Sequence, residues 1–186
     1  DPSGRQVITM GSASKIFWGG LRVGWIRADP QTVAALGRLR TTTDMASPVV
    51  EQLAVAHLID ADEGLGARAD MLRGRRDHLL ALLEQHLPHW GVESPAGGLS
   101  LWAELPRAEA TALAALAESL GVRVAAGPRF GVSGAFERFL RLPFTLPEAQ
   151  LAIGVERLVQ ADAHLHARTP RGRDSLALAL EADRLI

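Results

Sequence analysis

The sequence predicts an α/β chain: a strand–loop–strand opening, a helical stretch, and then a compact unit in which strands and helices alternate. Three observations carry this. Residues 6–10 and 21–27 are short runs rich in β-branched and aromatic side chains, separated by a loop punctuated by Gly19 and Gly20. Between Pro30 and Pro88 the apolar residues recur at helical spacing, and beyond Pro88 the two periods alternate over roughly 75 residues.

In chain order, Gln6-Val7-Ile8-Thr9-Met10 reads as a buried strand stopped by Gly11, and Ser12 to Lys15 form a polar knot. Leu21-Arg22-Val23-Gly24-Trp25-Ile26-Arg27 alternates with the period of a strand and is closed by Asp29-Pro30. Ser47-Pro48 supplies an N-cap and first-turn pair for a helix running to about residue 59. A longer helix is expected over 66–87, with Met71, Leu72, Leu79, Leu80, Leu82 and Leu83 as its apolar stripe. The arginines within residues 73–76 are expected on its solvated face. The compact unit then reads as strands near 92–94, 98–105, 122–125 and 139–144, with helices over 109–120 and 148–167. Residues 168–173 have a linker composition, and 174–186 can form one more amphipathic helix or stay loose. The expected organisation is therefore 1–45, a helical connection 46–90, a small α+β domain 91–167, and a linker and tail 168–186.

Composition narrows the function. The chain has 186 residues, 47% of them hydrophobic, which suffices for a core and excludes a disordered or fibrous polypeptide. It has no cysteine, and its six histidines show no ligand spacing, so no metal site is expected. A net charge of −1 gives no footprint for nucleic acid or an anionic membrane. No uncharged apolar run is long enough to span a bilayer, and the N-terminus lacks the layout of a signal peptide, so a cytoplasmic protein is expected. The absence of an initiating Met suggests a piece of something longer.

One compositional feature is chemical. Of the 20 basic residues 19 are arginine, and Lys15 is the sole lysine. Arginine does not deprotonate in proteins, so Lys15 carries the only side-chain amine able to form an imine with an aldehyde cofactor or carbonyl substrate. Around it stand Ser12 and Ser14, the pair Gly19-Gly20, and Arg22. Hydroxyl donors, close backbone approach at glycine and a guanidinium are the parts of a phosphate cradle. An amine beside a phosphate site is what pyridoxal phosphate requires.

The string Gly-Ser-Ala-Ser-Lys-Ile-Phe-Trp-Gly-Gly-Leu-Arg-Val-Gly-Trp, residues 11–25, resembles the cofactor-lysine segment of fold-type I aminotransferases. Its Phe17-Trp18-Gly19-Gly20-Leu21-Arg22 version looks most like the MocR group of GntR-family transcriptional regulators, in which an aminotransferase-like domain senses an effector. Three further segments resemble the family in the expected order. They are Pro95-Ala96-Gly97-Gly98-Leu99-Ser100-Leu101-Trp102, then Gly121-Val122-Arg123-Val124-Ala125-Ala126-Gly127-Pro128-Arg129-Phe130, with Ala126 where proline is common, and Phe139-Leu140-Arg141-Leu142-Pro143-Phe144. The resemblance covers roughly residues 5 to 167.

The resemblance implies a fold-type I chain comprising the end of the large-domain mixed sheet, in 1–45, and an α+β small domain. Lys15 would be the imine-forming lysine, and Ser12 and Arg22 would hold the cofactor phosphate. Ser14 would shape the same turn, and Arg141 would clamp the α-carboxylate of an amino acid. Gly97 and Gly98 would allow close backbone approach near the substrate. The family's glycine-rich phosphate loop, ring-stacking aromatic and ring-binding aspartate are not found before Gln6, so the chain is expected to carry half a site and to hold the cofactor weakly by itself. A homodimer, an amino acid or amine ligand, and DNA contact only through an N-terminal domain outside this chain complete the regulator reading. Three alternatives stand beside it: a genuine aminotransferase, a purely structural dimerisation module, and a serine hydrolase with Ser12 as nucleophile in Ser12-Ala13-Ser14-Lys15. The last lacks a Lys-Thr-Gly strand, since Lys15 is the sole lysine.

Overall fold

A computed structural model describes residues 7–44, 46–61 and 65–167, so the expected linker and tail lie outside the described residues. The chain forms two compact units, 1–69 and 70–186.

In the first unit β1 (Thr9–Ser12) and β2 (Gly24–Arg27) form a two-stranded antiparallel sheet, with Gly11 opposite Trp25 and Ser12 opposite Gly24. Between them lie a one-turn helix, α1 (Ala13–Ile16), and a 3-10 turn (Gly19–Leu21). The expectation of a strand starting at Leu21 is corrected here. Leu21 N–H closes the 3-10 turn on the Trp18 carbonyl at 3.2 Å, and Arg22 is left-handed with φ 53, so extended backbone begins only at Gly24.

The helix α2 (Pro30–Arg40) starts where the sequence demands it, because Asp29 Oδ1 accepts the N–H groups of Gln31 at 2.9 Å and Thr32 at 3.0 Å, with Pro30 pre-set for the first turn. α3 (Val49–Ala61) begins one residue later than expected. The Pro48 carbonyl accepts its first helical bond from Gln52 at 3.3 Å, while Ser47 Oγ accepts instead from Arg40 at 2.6 Å. The buried apolar side chains described in this unit are Ala13 and Val55, whereas Met10 is 76% and Trp18 68% exposed.

α4 (Leu65–His86) begins in the first unit and continues as the leading helix of the second. The second unit is built on a four-stranded antiparallel sheet, β3 (Gly91–Val92), β4 (Ser100–Glu104), β5 (Ala125–Ala126) and β6 (Phe139–Pro143), in the order β3-β4-β6-β5. α5 (Ala110–Ser119) and α6 (Glu148–Ala167) complete it. Strand alternation separates two faces. Leu101, Ala103, Leu140 and Leu142 join a core with Leu83 of α4, Leu113 of α5 and Val155 of α6, closed by Phe144. The other face presents Ser100, Trp102, Glu104, Phe139 and Arg141. Fully burying each such leucine or phenylalanine stabilises the unit by about 1.5–3 kcal/mol, so this contiguous cluster is what holds it together.

Two expectations are corrected in this unit. Residues 122–124 are not a strand, because the Val122 N–H is taken by the Ala117 carbonyl at 2.9 Å and Gly121 N–H by Glu118 at 3.0 Å, with Gly121 at φ 83. This pairing closes α5 with a left-handed cap. The arginines of α4 are not all solvated: Arg75 Nη1 donates to the Thr145 carbonyl at 2.5 Å and Arg76 Nη1 to Pro95 at 2.9 Å. Arg73 pairs with Asp70 on the exposed face, as expected. Among the described residues no helix is long and apolar enough to cross a membrane.

Candidate functional site

The lysine turn is shaped from its two ends. Ser12, extended at φ −146, caps α1 and its Oγ accepts the Ser14 N–H at 3.3 Å. Ala13 is fully buried, and its N–H donates to the Val23 carbonyl at 3.0 Å, continuing the β1–β2 ladder by one residue. Phe17 N–H closes the turn on the Ala13 carbonyl at 2.8 Å. Lys15 therefore projects from a turn fixed at both ends, and it is exposed.

The other arm carries Arg22. A non-glycine residue in the left-handed region costs about 1–2 kcal/mol, so the backbone here would be served more cheaply by glycine. Arg22 holds this conformation with its side chain exposed. Neither the Lys15 amine nor the Arg22 guanidinium has a protein hydrogen-bond partner among the described residues, so both are free to take a ligand. Ser12 Oγ is occupied as an acceptor and keeps its own O–H to donate.

The glycines divide by role. A Cβ at Gly11 would be driven into the indole of Trp25, and one at Gly20 into that of Trp18. Gly98 needs its φ of 96, which L side chains rarely adopt. At Gly97 and Gly98 a Cβ would meet nothing within 4 Å, so no protein neighbour crowds either glycine.

Arg141 lies in the second unit, on the open face of β6, opposite Trp102 of β4 and Ala125 of β5. Its Nε donates to Ser100 Oγ at 2.9 Å, and its guanidinium carbon sits 5.7 Å from the centre of the Phe130 ring. Trp102 stacks on Phe139 at 5.3 Å and meets Phe130 and Phe136 edge-on, so the arginine stands beside an aromatic cluster.

Four of the five sequence-derived residues, Ser12, Ser14, Lys15 and Arg22, thus share one hairpin in the first unit, and Arg141 belongs to the second. Sequence reasoning missed Ser100 and Phe130 as partners of Arg141.

A scan against protein-family models matches residues 2–158 to "Aminotransferase class I and II". The chain belongs to that family. Among curated relatives, an aromatic-amino-acid aminotransferase of Thermococcus litoralis is 31% identical over 86% of this chain, and a 2-aminoadipate transaminase of Thermus thermophilus is 33% identical over 83%. The chain spans 40% of the length of each. Among solved structures, the α-aminoadipate aminotransferase of Thermus thermophilus, complexed with N-(5'-phosphopyridoxyl)-L-leucine, is similar with a TM-score of 0.80 and 30% identity, over 89% of this chain and 44% of that one. The kynurenine aminotransferase of Pyrococcus horikoshii gives 0.78 and 27%, over 87% and 41%.

The mixed α/β architecture is thus that of a fold-type I aminotransferase over the matched length. Two expectations give way. Membership of the aminotransferase family overturns the serine hydrolase reading, although Ser12 does open a short helix. The relatives are aminotransferases, so the preference for an effector-sensing regulator yields to the catalytic alternative.

Proposed function

We propose that this aminotransferase chain supplies the cofactor lysine and the substrate-carboxylate arginine of a pyridoxal-phosphate-dependent transaminase acting on an α-amino acid. The observation that carries the reading is the hairpin in which Ser12, Lys15 and Arg22 are fixed by the Ala13–Val23 bond while the amine and guanidinium lack protein partners. Its donor set fits the cofactor: a primary amine suits an aldehyde, and a hydroxyl with a guanidinium suits a phosphate dianion.

Pyridoxal phosphate, when bound, supplies an electron sink that lowers the cost of negative charge at the amino acid's α-carbon. The work of the chain's own residues is positional and acid–base. Ser12 O–H and the Arg22 guanidinium hold the phosphate, and Ser14 keeps the turn in shape through its N–H bond to Ser12. Lys15 would hold the cofactor through its amine and, when free, would be the base that takes and returns the proton at the substrate's α-carbon. Arg141 binds the α-carboxylate, a planar two-pronged task for which lysine is a poor substitute. The substrate class follows the relatives, which act on aromatic amino acids or 2-aminoadipate. A homodimer and a cytoplasmic setting belong to the same proposal.

The test uses the intact protein that carries this chain. With pyridoxal phosphate, L-phenylalanine or L-2-aminoadipate, and 2-oxoglutarate, it should form L-glutamate, and borohydride should leave the cofactor covalently on the peptide containing Lys15. K15A should abolish both. Turnover that survives in K15A, or an intact protein that retains no cofactor, would overturn the reading.

A further inference from the structure

We infer that Ser100 is a positioning residue that decides how Arg141 presents its guanidinium to a carboxylate. The inference rests on the proposed carboxylate role of Arg141 and goes beyond it, to the binding mode.

The argument starts from strand geometry. β4 and β6 are antiparallel, with Ser100 opposite Pro143, Trp102 opposite Arg141 and Glu104 opposite Phe139. Ser100 and Arg141 are therefore diagonal neighbours on one face, two residues out of direct opposition, within reach for a long side chain. Trp102 and Phe139 stand in the same diagonal relation and stack at 5.3 Å with a 12° interplanar angle. The same offset, repeated one pair along, brings Ser100 Oγ within 2.9 Å of Arg141 Nε.

A guanidinium offers a carboxylate two forks, a side-on pair made by Nε and one Nη, and an end-on pair made by the two Nη groups. Ser100 occupies the Nε hydrogen, so the side-on fork is spent. Phe130 lies 5.7 Å from the guanidinium carbon, a distance at which a ring face attracts the cation. No protein acceptor among the described residues takes the four Nη hydrogens. Ser100 at one edge and Phe130 beside the cation hold the group with its end-on fork open. A side chain carrying several rotatable bonds is thereby pre-organised, which lowers the entropy lost when the carboxylate arrives.

The experiment compares S100A, S100T and R141Q in the intact protein, with L-phenylalanine as amino donor. It adds competitive inhibition by 3-phenylpropanoate, which carries the carboxylate without the amino group. S100A should raise KM and the inhibition constant together by about fivefold, the change that one ordinary hydrogen bond corresponds to. It should leave kcat unchanged, and S100T, which keeps the acceptor, should restore both constants. S100A constants equal to wild type, or a kcat that falls as far as KM rises, would overturn the inference. If R141Q still weakens both constants in that case, the reading of Arg141 stands and only the role of Ser100 is lost. If R141Q itself binds 3-phenylpropanoate as wild type does, the carboxylate reading fails and the inference falls with it.

Discussion

Ala13 and Val23 meet at the base of the lysine turn, where the Ala13 N–H donates to the Val23 carbonyl at 3.0 Å. The bond extends the β1–β2 ladder one residue beyond the Ser12–Gly24 pair. Its consequence is positional. Lys15 lies two residues beyond one end of that bond and Arg22 one residue before the other, so amine and guanidinium ride on the arms of a single closed hairpin. Ala13 is fully buried, which leaves no slack for the arm carrying the lysine to shift.

The hairpin's stability depends on Gly11. Trp25 is its direct cross-strand partner, and the indole lies where a Cβ at Gly11 would be. Trp25 is 41% exposed, so in G11A the indole should swing out into solvent, at a cost smaller than that of an overpacked core site. Tryptophan fluorescence, with W25F identifying the contribution of Trp25, should shift in G11A; an unchanged spectrum and an unchanged urea midpoint would remove this packing argument.

A pH dependence follows at the start of α2. The Thr32 hydroxyl donates to Asp29 at 2.5 Å, and together with the Thr32 and Gln31 N–H bonds this holds the Asp29 carboxyl below its ordinary value of 3.8. A carboxyl whose folded pKa is depressed contributes stability that is present above the unfolded pKa and is lost as pH falls through the folded one. The cap should therefore act fully at neutral pH and fade on acidification below 3.8. D29A should lower the unfolding midpoint at pH 7, with the gap to wild type closing as the pH is brought below the carboxylate range. T32V should narrow that pH dependence, and parallel acid profiles for all three proteins would refute the assignment.

Most of this fold was readable because its signals are local. α6 (Glu148–Ala167) spans the residues expected of it, since its apolar spacing and Pro147 boundary act within the segment. The first strand, expected buried over 6–10 and stopped at Gly11, instead runs through Gly11 to Ser12 with its side chains exposed, while the other two strand misjudgements share a physical cause. Leu21 to Val23 and Val122 to Val124 alternate like strands, but their backbone groups are claimed first by turn closure, at Leu21 and at Val122. Alternation in side chains cannot reveal which carbonyl a given N–H will find. The site divides in the same way. Ser12, Ser14, Lys15 and Arg22 lie close in sequence and carry a motif, whereas the Ser100–Arg141 bond joins residues 41 apart. That contact depends on the register of β4 on β6, which no single segment encodes.

The arginines of α4 give a paired prediction. Arg76 is 17% exposed and donates to the Pro95 carbonyl, while the exposed Arg73 pairs with Asp70 within the helix. R76A deprives that carbonyl of its donor and should cost about 1–3 kcal/mol. R73A removes a solvated pair and should cost no more than about 1 kcal/mol. Urea unfolding of the two variants checks the order, and an R73A effect equal to that of R76A would contradict it.

Asp162 supports the last prediction. It is the buried charged residue of the described core, its side chain 11% exposed, and it stands between two histidines. Its Oδ2 lies 3.0 Å from His89 Nε2 and 3.6 Å from His166 Nδ1, and Trp90 Nε1 donates to Oδ1 at 3.4 Å. His166 Nε2 in turn meets Glu109 Oε1 at 2.9 Å, next to the first residue of α5. One carboxylate thus ties the turn after α4 to α6, and through His166 to the start of α5. D162A leaves the buried Trp90 N–H without an acceptor, and such an orphaned donor costs about 1–3 kcal/mol. D162N keeps an oxygen for Trp90 but faces the histidines with a neutral group, so its loss should be smaller. The expected order of urea midpoints is wild type, D162N, D162A. A D162A chain as stable as wild type would mean that water satisfies Trp90 equally well, and that the helices are held by the Leu113 and Val155 core alone.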